Sequence, residues 1–267
     1  MRSSAPLEIV EGEAVAGTSI RGRLVARAAL TDAERSAMHG LLASYFEGVE
    51  ARVFERDLAA KNWVILLEDE TGALRGFTTL HVHRHTFEGE AMTVVFSGDT
   101  IVDRSAWNTP ALHRSWIDAV NQLARSEGQG RVWWLLIVSG YRTYRLLPVF
   151  FRDFYPRHDR PTPEPIRRLV DELAAARFGA EYDRASGIVR FVDGAQRLRA
   201  DVGEITDARA RNPHVRFFTE RNAGHERGDE MVCLCEISEQ NLTAAGRRMA
   251  GIAPVARARA ARRDPTT

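Results

Sequence analysis

The sequence predicts an α/β protein built on a mixed, mostly antiparallel sheet flanked by helices, and two stretches of the chain carry this prediction. Three apolar segments rich in β-branched residues, 63–67, 75–85 and 93–102, follow one another with short turns, which is typical of an antiparallel meander. The last of them leads through a short loop into a helix near Pro110, and the most apolar segment, 131–138, comes next. A strand, helix and strand in this order favour a parallel pair with a right-handed crossover.

The segments before and after these two stretches supply the other elements and the domain limits. The remaining predicted elements are a strand at 23–30, helices after the capping box Thr31–Glu34, at 49–61, at 141–154 with a kink at Pro148, and at 163–178, strands at 187–192, 215–219 and 231–237, and a helix at 240–249. The composition changes near Thr162, so we expect a first domain at 23–160 and a smaller C-terminal α+β addition at 161–253 packed on it. A flexible N-terminus at 1–22 and a disordered tail at 254–267 should flank them. A single larger sheet that absorbs 187–237 is the alternative.

Composition and charge exclude several classes of protein. The chain has 267 residues, 44% hydrophobic and 27% charged, with a formal net charge of +1, so nothing draws it as a whole to nucleic acid or to an anionic membrane. It contains no apolar run long enough for a membrane span and no signal-peptide pattern at its start. Cys233 and Cys235 alternate along a predicted strand, which favours buried free thiols and a cytoplasmic location. Lys61 is the only lysine, which codon bias explains.

The end of the third meander strand is the predicted site. Ser97, Gly98 and Asp99 interrupt an otherwise apolar run, and a polar break of this kind indicates a bulge, a sheet edge or a site. A carboxylate at Asp99 can accept a proton from an attacking group, although short polar side chains also bond locally, for example to Thr100. The loop then enters a helix that Asn108 or Thr109 can cap, and free N–H groups at such a helix start can hold an anion.

The order of these elements resembles the GNAT acyltransferase superfamily over residues 24–155, in architecture more than in motif. The resemblance implies a splayed sheet, with the acyl donor and the acceptor meeting in the gap between 93–102 and 131–138. The superfamily usually carries an Arg/Gln-x-x-Gly-x-Gly/Ala loop whose amides hold the pyrophosphate of acyl-CoA, whereas the loop here, 104–111, has no glycine. Related branches use acyl carrier protein as the donor, so acyl-CoA and acyl-phosphopantetheine are both expected co-substrates, with no tightly bound cofactor and a small-molecule amine as acceptor.

The resemblance also implies roles for individual residues. Asp99 would position or deprotonate the acceptor, and Tyr144 would protonate the departing thiolate. The donor would be bound by Thr100, Ile101, Val102, Trp107, Asn108, Thr109 and Arg142, and the cleft or acceptor side would be lined by Ser97, Trp134, Ser139 and Tyr141. Because the loop lacks glycine, we expect a single phosphate, as on a phosphopantetheine arm, at the helix start.

Two other interpretations stay open at this stage. His81, His83 and His85 share one strand face and can bind zinc, but a half-buried polar face is commoner, and we expect no metal. The missing glycines also fit a non-catalytic binding or regulatory protein on a degenerate acyltransferase scaffold.

Overall fold

The computed structural model describes residues 19–252, apart from 108, 193–195 and 204. Its strands are β1 (Arg21–Ala26), β2 (Phe46–Glu47), β3 (Trp63–Glu68), β4 (Leu74–Phe87), β5 (Glu90–Val102), β6 (Arg131–Val138), β7 (Tyr182–Asp183), β8 (Ile188–Val189), β9 (Arg197–Leu198) and β10 (Glu230–Glu236). Eight of them form one sheet in the order β1-β3-β4-β5-β6-β10-β8-β7, and β2 pairs with β9 separately. Among the described strands only β5 and β6 run parallel, which confirms the predicted mixed, mostly antiparallel sheet.

Helices cover both faces of the sheet. They are α1 (Asp32–Tyr45), α2 (Ala51–Ala59), α3 (Ala111–Ser126), α4 (Tyr141–Phe150), α5 (Glu164–Phe178), α6 (Ala200–Gly203), α7 (Asp207–Ala210), α8 (Pro213–Arg221) and α9 (Ala244–Met249). Because successive strand residues point to opposite faces, Ile65 and Leu67 pack with α3 and α4, whereas Val64 and Leu66 pack with α1 and α2. Helix α5 lies on the same face as α1 and α2, over β5, β6 and β10.

The C-terminal part of the chain joins this sheet by adding strands to it. Strand β10 pairs antiparallel with β6, from Met231 opposite Val138 to Glu236 opposite Trp133. The chain therefore follows the alternative prediction, a single larger sheet that absorbs the C-terminal strands. The consequence for function is that β10 and α5 become walls of the same space that β5 and β6 border.

Three element predictions need correction. Residues 215–219, predicted as a strand, lie in α8, because the Asn212 side chain accepts hydrogen bonds from the N–H of His214 and of Val215, and Pro213 takes the first helical position. Helix α4 ends at Phe150, short of the predicted end at 154, and Pro148 lies in its last turn. The final helix begins at Ala244, after a short 3-10 turn at 239–241.

The thiols and the chain ends complete the comparison with the sequence. Cys233 and Cys235 are free, buried and on the same face of β10, as predicted. The predicted disorder of the tail at 254–267, and of residues 1–18 of the N-terminus, concerns residues outside the described part of the chain. Within that part, every helix is too short or too polar to cross a bilayer.

Candidate functional site

A cavity opens where β5 and β6 separate. Their parallel ladder ends at the pair Ser97–Leu136, and a cavity of about 1030 Å³ lies beyond it. The sequence-predicted site residues that line this cavity are Ser97, Asp99, Thr100, Ile101, Val102, Trp107, Thr109, Trp134, Ser139, Tyr141 and Arg142. Tyr144 does not line it, and Asn108 falls outside the described residues. The gap between the two strands is thus a real space into which most of the expected side chains project.

A β-bulge shapes the rim of the cavity on β5. Thr100 lies opposite Thr78 and Ser97 opposite Leu80, so Gly98 and Asp99 together face a single residue of β4, Thr79. Such a bulge bends the strand and redirects its side chains. The polar break that the sequence contains is therefore this bulge, at the point where β5 leaves β6.

Glycine at position 98 allows a close approach. A Cβ atom added there would lie 2.5 Å from Cε of Lys61 and 2.7 Å from Oγ1 of Thr79, closer than real side chains come. The Lys61 side chain thus reaches across the bulge, beside Asp99. The sequence pointed to Lys61 only as the single lysine of the chain, and its place in the cavity was missed.

The carboxyl group of Asp99 is the polar centre of the cavity. Its Oδ2 atom is buried and has no hydrogen-bond partner among the described residues. Burial raises the pKa of Asp99, and the positive charge of Lys61 opposes that rise. The local alternative does not hold for Thr100, whose hydroxyl pairs with Thr78 at 2.6 Å and donates to the carbonyl of Gly98 at 3.3 Å. The Oδ2 atom can therefore accept a hydrogen bond or a proton from a molecule in the cavity.

Tyr144, expected to be a proton donor, is a core residue. Its side chain is 0% exposed, and its hydroxyl donates to the backbone carbonyl of Pro156 at 2.9 Å. It stacks on Phe217 and Phe218, and burial raises its pKa well above the usual value. Because the helix begins right after Gly140, its rotation about its axis directs Tyr144 away from the cavity. Tyr144 is therefore not placed to give a proton to a thiolate in the cavity, contrary to the expectation from the sequence.

Tyr141, in the first position of α4, is the tyrosine of that helix that lines the cavity. Its hydroxyl accepts a hydrogen bond from Nε of Arg142 at 3.3 Å. The Arg142 guanidinium also lies over the ring of Trp107, with Cζ 4.8 Å from the centroid. These contacts join the start of α4 to the loop that follows β5, across the mouth of the gap.

The loop from β5 to α3 is held in place from two sides. The Trp107 indole N–H donates to the carbonyl of Val102 at 2.8 Å, and the ring remains 41% exposed. The Tyr45 hydroxyl accepts from the backbone N–H of Arg104 at 2.8 Å and donates to Asp103 at 3.1 Å. The loop is thus fixed relative to α1 although it contains no glycine.

The start of α3 differs from the expected capping. The helix begins at Ala111, and Pro110 occupies the cap position, which offers no side-chain hydrogen bond. The Thr109 hydroxyl instead donates back to the carbonyl of Ala106, because the 3-10 turn at 104–106 brings that carbonyl within reach. The first turn of α3 has no acidic side chain. Its N–H groups and dipole can therefore meet an anion without competition from the chain itself.

Ser97 and Trp134 lie on the face of the sheet that packs against α3. The Ser97 hydroxyl accepts hydrogen bonds from the indole N–H groups of Trp134 at 2.8 Å and of Trp116 at 3.3 Å. Trp133 points to the opposite face and packs in the core below α5. Ser97 therefore anchors two aromatic walls of the cavity, and among the described residues no basic side chain is hydrogen-bonded to it that would make it a nucleophile.

The three histidines of β4 border the cavity near α5. His81 stacks on His83 with ring centroids 4.6 Å apart, and His85 pairs with Glu172 at 2.8 Å. Among the described residues, no group of three His, Cys, Asp or Glu side chains is arranged to hold a metal ion. The histidines act as a half-buried polar wall.

Comparisons with known proteins give a likeness in structure and none in sequence. No protein-family model matches the chain, and no curated protein matches it. A GNAT family N-acetyltransferase from Escherichia coli, solved in complex with CoA, is 14% identical over 51% of this chain and 72% of that one, with a TM-score of 0.36. An acetyltransferase from Trypanosoma brucei is 19% identical over 54% of this chain and 98% of that one, with a TM-score of 0.36.

A longer alignment is found with a probable N-acyltransferase from Enterococcus faecalis, which is 9% identical over 83% of this chain and 67% of that one, with a TM-score of 0.38. This chain has the expected order of elements, a parallel β5–β6 pair and a gap at the end of that pair. In architecture, residues 24–155 resemble the GNAT acyltransferase superfamily.

Proposed function

We propose that the protein is an acyltransferase that moves an acyl group from a thioester donor to an amine of a small-molecule acceptor. The observation that carries this proposal is the carboxyl group of Asp99, which lies on a bulged strand at the edge of the cavity that separates β5 from β6. A thioester arm is narrow enough to lie between two strands that have lost their ladder. An amine that enters from the other side then meets a buried proton acceptor.

The chemistry follows from these positions. The amine nitrogen attacks the thioester carbonyl, a C–N bond forms, and the C–S bond breaks to release a thiolate. Asp99 takes the proton that the amine loses, and burial raises its pKa, which makes it a better base near neutral pH. Tyr141 lies on the opposite wall and donates a proton to the thiolate. The guanidinium N–H of Arg142 at its hydroxyl stabilises the resulting phenolate.

Backbone amides of β5 supply the polarising groups. The N–H of Asp103 donates to the Arg75 carbonyl on the side of β4. Backbone groups alternate in direction along a strand, so the amides of Thr100 and Val102 point the other way, toward the gap. An amide there donates to the oxyanion that forms during attack. In agreement, the carbonyl of Val102 meets the indole of Trp107 on the gap side.

The donor is proposed to place a phosphate at the start of α3. The helix dipole and the N–H groups of the first turn favour an anion there, and the guanidinium of Arg142 lies over Trp107 in the loop that leads into the helix. The loop offers few further contacts, since without glycine it does not form a tight phosphate-wrapping turn. A single phosphate, as on acyl-phosphopantetheine carried by an acyl carrier protein, suits this site better than a pyrophosphate, and acyl-CoA remains the other donor.

The two tyrosines of α4 make a matched test of the proton donor. We expect Tyr141→Phe to lower kcat about 10²-fold, because the thiolate then leaves without a proton donor. We expect Tyr144→Phe to leave kcat unchanged and to lower the free energy of unfolding by about 1–2 kcal/mol, since the Pro156 carbonyl loses its buried partner. Steady-state kinetics and urea denaturation measure both effects. Equal loss of activity in the two variants would contradict the assignment of Tyr141.

Thr109→Asp tests the phosphate site. A carboxylate just before α3 should repel the donor phosphate and weaken donor binding by about tenfold, with little change in stability. The readout is thermal stabilisation by CoA and, separately, by holo acyl carrier protein, where a ligand at about 100 times its Kd should raise the Tm by roughly 5 °C or more. The same change at Thr86, which is exposed and outside the cavity, is the control. Unchanged donor affinity in Thr109→Asp would place the phosphate elsewhere.

A non-catalytic binding protein on the same scaffold is the second candidate, and the absence of glycine from the loop favours it. The two candidates differ in one outcome. A binding protein is stabilised by a donor or an acceptor without releasing thiol, whereas the enzyme releases thiol only when both are present.

A further inference from the structure

Arg177, in the last turn of α5, brings a guanidinium into the cavity, and no carboxylate of the described residues forms an ion pair with it. Its Cζ lies 3.6 Å from the ring centroid of Phe96, and its Nη1 lies 3.1 Å from Nδ1 of His81. A guanidinium can only donate, so Nδ1 of His81 must accept, and the imidazole is neutral. Burial, His83 and Arg177 together lower the pKa of His81 to about 4, in agreement with a neutral ring. The guanidinium thus rests on an aromatic face and a neutral imidazole.

Lys61 brings a second positive charge to the same place. Its Nζ donates to the backbone carbonyl of Asp57 at 2.9 Å and lies 5.6 Å from the centroid of the same Phe96 ring. The residue is only 7% exposed, and burial lowers its pKa, with a smaller lowering by the charge of Arg177, while the charges of Asp99 and Asp57 oppose this. Two like charges in a buried space repel each other unless an anion lies between or beside them.

The carboxyl groups around these cations do not neutralise both of them. Within the described chain, no carboxylate oxygen lies within 4 Å of the Lys61 or Arg177 nitrogens, although Asp57, Asp99 and Glu230 are close enough to influence them. Burial raises the pKa of Glu230 to about 8, so this group is mostly protonated at neutral pH. Burial likewise lowers the pKa of Arg177 to about 10, which leaves it charged. Asp57 and Asp99 thus act on the two cationic side chains from a distance, and among the described residues neither side chain is held in a direct ion pair.

This cationic end lies on the acceptor side of the cavity. Arg177 and Lys61 come from α5 and the segment after α2, on the face opposite α3 and α4, where the donor is proposed to enter. The redirected strand segment with Asp99 lies between the two sides. A group bound by the two cations would thus belong to the molecule that offers its amine to Asp99.

We infer that the acceptor is a small amine that also carries a carboxylate, as amino acids do, and that Arg177 and Lys61 bind this carboxylate. That the ligand is the acceptor rests on the proposed function, whereas the anion subsite rests on the contacts of Arg177 and Lys61. The guanidinium offers two parallel N–H donors that match the two carboxylate oxygens, and the ammonium of Lys61 adds a point charge. The Phe96 ring and the neutral imidazole of His81 lie directly against the guanidinium and hold it in the cavity.

The test compares amino acids with their amides, which keep the amine and lose the negative charge. With a fixed thioester donor, wild type should show kcat/KM about 10- to 100-fold higher for the acid of each pair. Arg177→Gln should remove this preference, so that the acid and the amide of each pair react with similar kcat/KM, and Arg177→Lys should retain part of it. Arg168→Gln is the control, because Arg168 lies on the same helix and pairs with Glu88 outside the cavity.

Three results separate the inference from the proposed function. Acylation of amines without any preference for the acid would overturn the inference and leave the function standing. Acylation with preference for phosphoethanolamine over the amino acids would overturn the carboxylate assignment. If no amine is acylated, thermal stabilisation by millimolar amino acids in wild type and Arg168→Gln, but not in Arg177→Gln, would support the subsite while the proposed function fails, and no stabilisation in any variant would overturn the subsite.

Discussion

Replacing Asp99 by asparagine is expected to lower kcat by about 10²- to 10³-fold while the Kd of the thioester donor changes by less than about twofold. Asparagine keeps the size of the side chain but cannot accept a proton, so the attacking amine loses its base. The proposed donor contacts use the start of α3 and the strand backbone, and none of them uses the Asp99 side chain. The measurements are steady-state kinetics of thiol release and donor binding by calorimetry.

The dependence of kcat/KM on pH should also differ between the wild type and Asp99→Asn. A base whose pKa is raised by burial makes kcat/KM increase with pH through that pKa, and this rising limb should vanish in Asp99→Asn. Asp118→Asn is the control, since Asp118 is an exposed residue of α3 outside the cavity. Turnover at the wild-type level in Asp99→Asn, with the limb intact, would remove Asp99 from the mechanism.

Glu230→Gln is expected to stabilise the protein at alkaline pH by up to about 4 kcal/mol and to have little effect at pH 4. Burial raises the pKa of the folded-state carboxyl group to about 8, well above its usual value of 4.5. Below pH 4.5 both the folded and the unfolded state keep the proton. Between pH 4.5 and 8 only the unfolded state loses it, so the free energy of unfolding of the wild type falls with rising pH. Glutamine does not titrate and avoids this loss.

Urea denaturation of both proteins from pH 4 to pH 9 measures this difference. Glu70→Gln is the matched control, because Glu70 is exposed in the turn between β3 and β4 and should give a difference near zero at every pH. A constant difference between wild type and Glu230→Gln across the range would mean that the carboxyl group ionises as easily in the folded as in the unfolded state. Glu230 would then be a carboxylate beside Lys61, and its negative charge would weaken the proposed anion subsite.

Local patterns in the sequence were sufficient to predict the sheet around β5. Three features depend only on interactions between residues close in sequence: the β-branched run, the polar break at Ser97 to Asp99 and the helix after Pro110. Their structures can therefore be predicted from the local sequence. The parallel β5–β6 pair follows from chain connectivity, because a strand–helix–strand unit has few ways to fold. These features supplied most of the predicted cavity residues.

The parts that escaped prediction depend on helical phase or on distant pairing. Tyr144 and Tyr141 stand three positions apart on one helix, and only the observed start after Gly140 decides which of them faces the cavity. Arg177 and Glu230 reach the site through the packing of α5 and the pairing of β10 with β6, contacts between segments far apart in the sequence. No local pattern encodes that register, which is why the cationic end of the cavity was not predicted.

The most direct test of the central claim is amine-dependent release of free thiol from a thioester donor by the wild-type protein. Acetyl-CoA, longer acyl-CoA and acyl carrier protein loaded with the same acyl groups are each incubated with a panel of amines that includes the amino acids, and thiol and acylated amine are quantified together. The proposed function predicts equal amounts of thiol and acylated amine with at least one donor, and no thiol without amine. Failure of every donor to yield acylated amine, in a protein that those donors stabilise thermally, would contradict it and identify a binding protein instead.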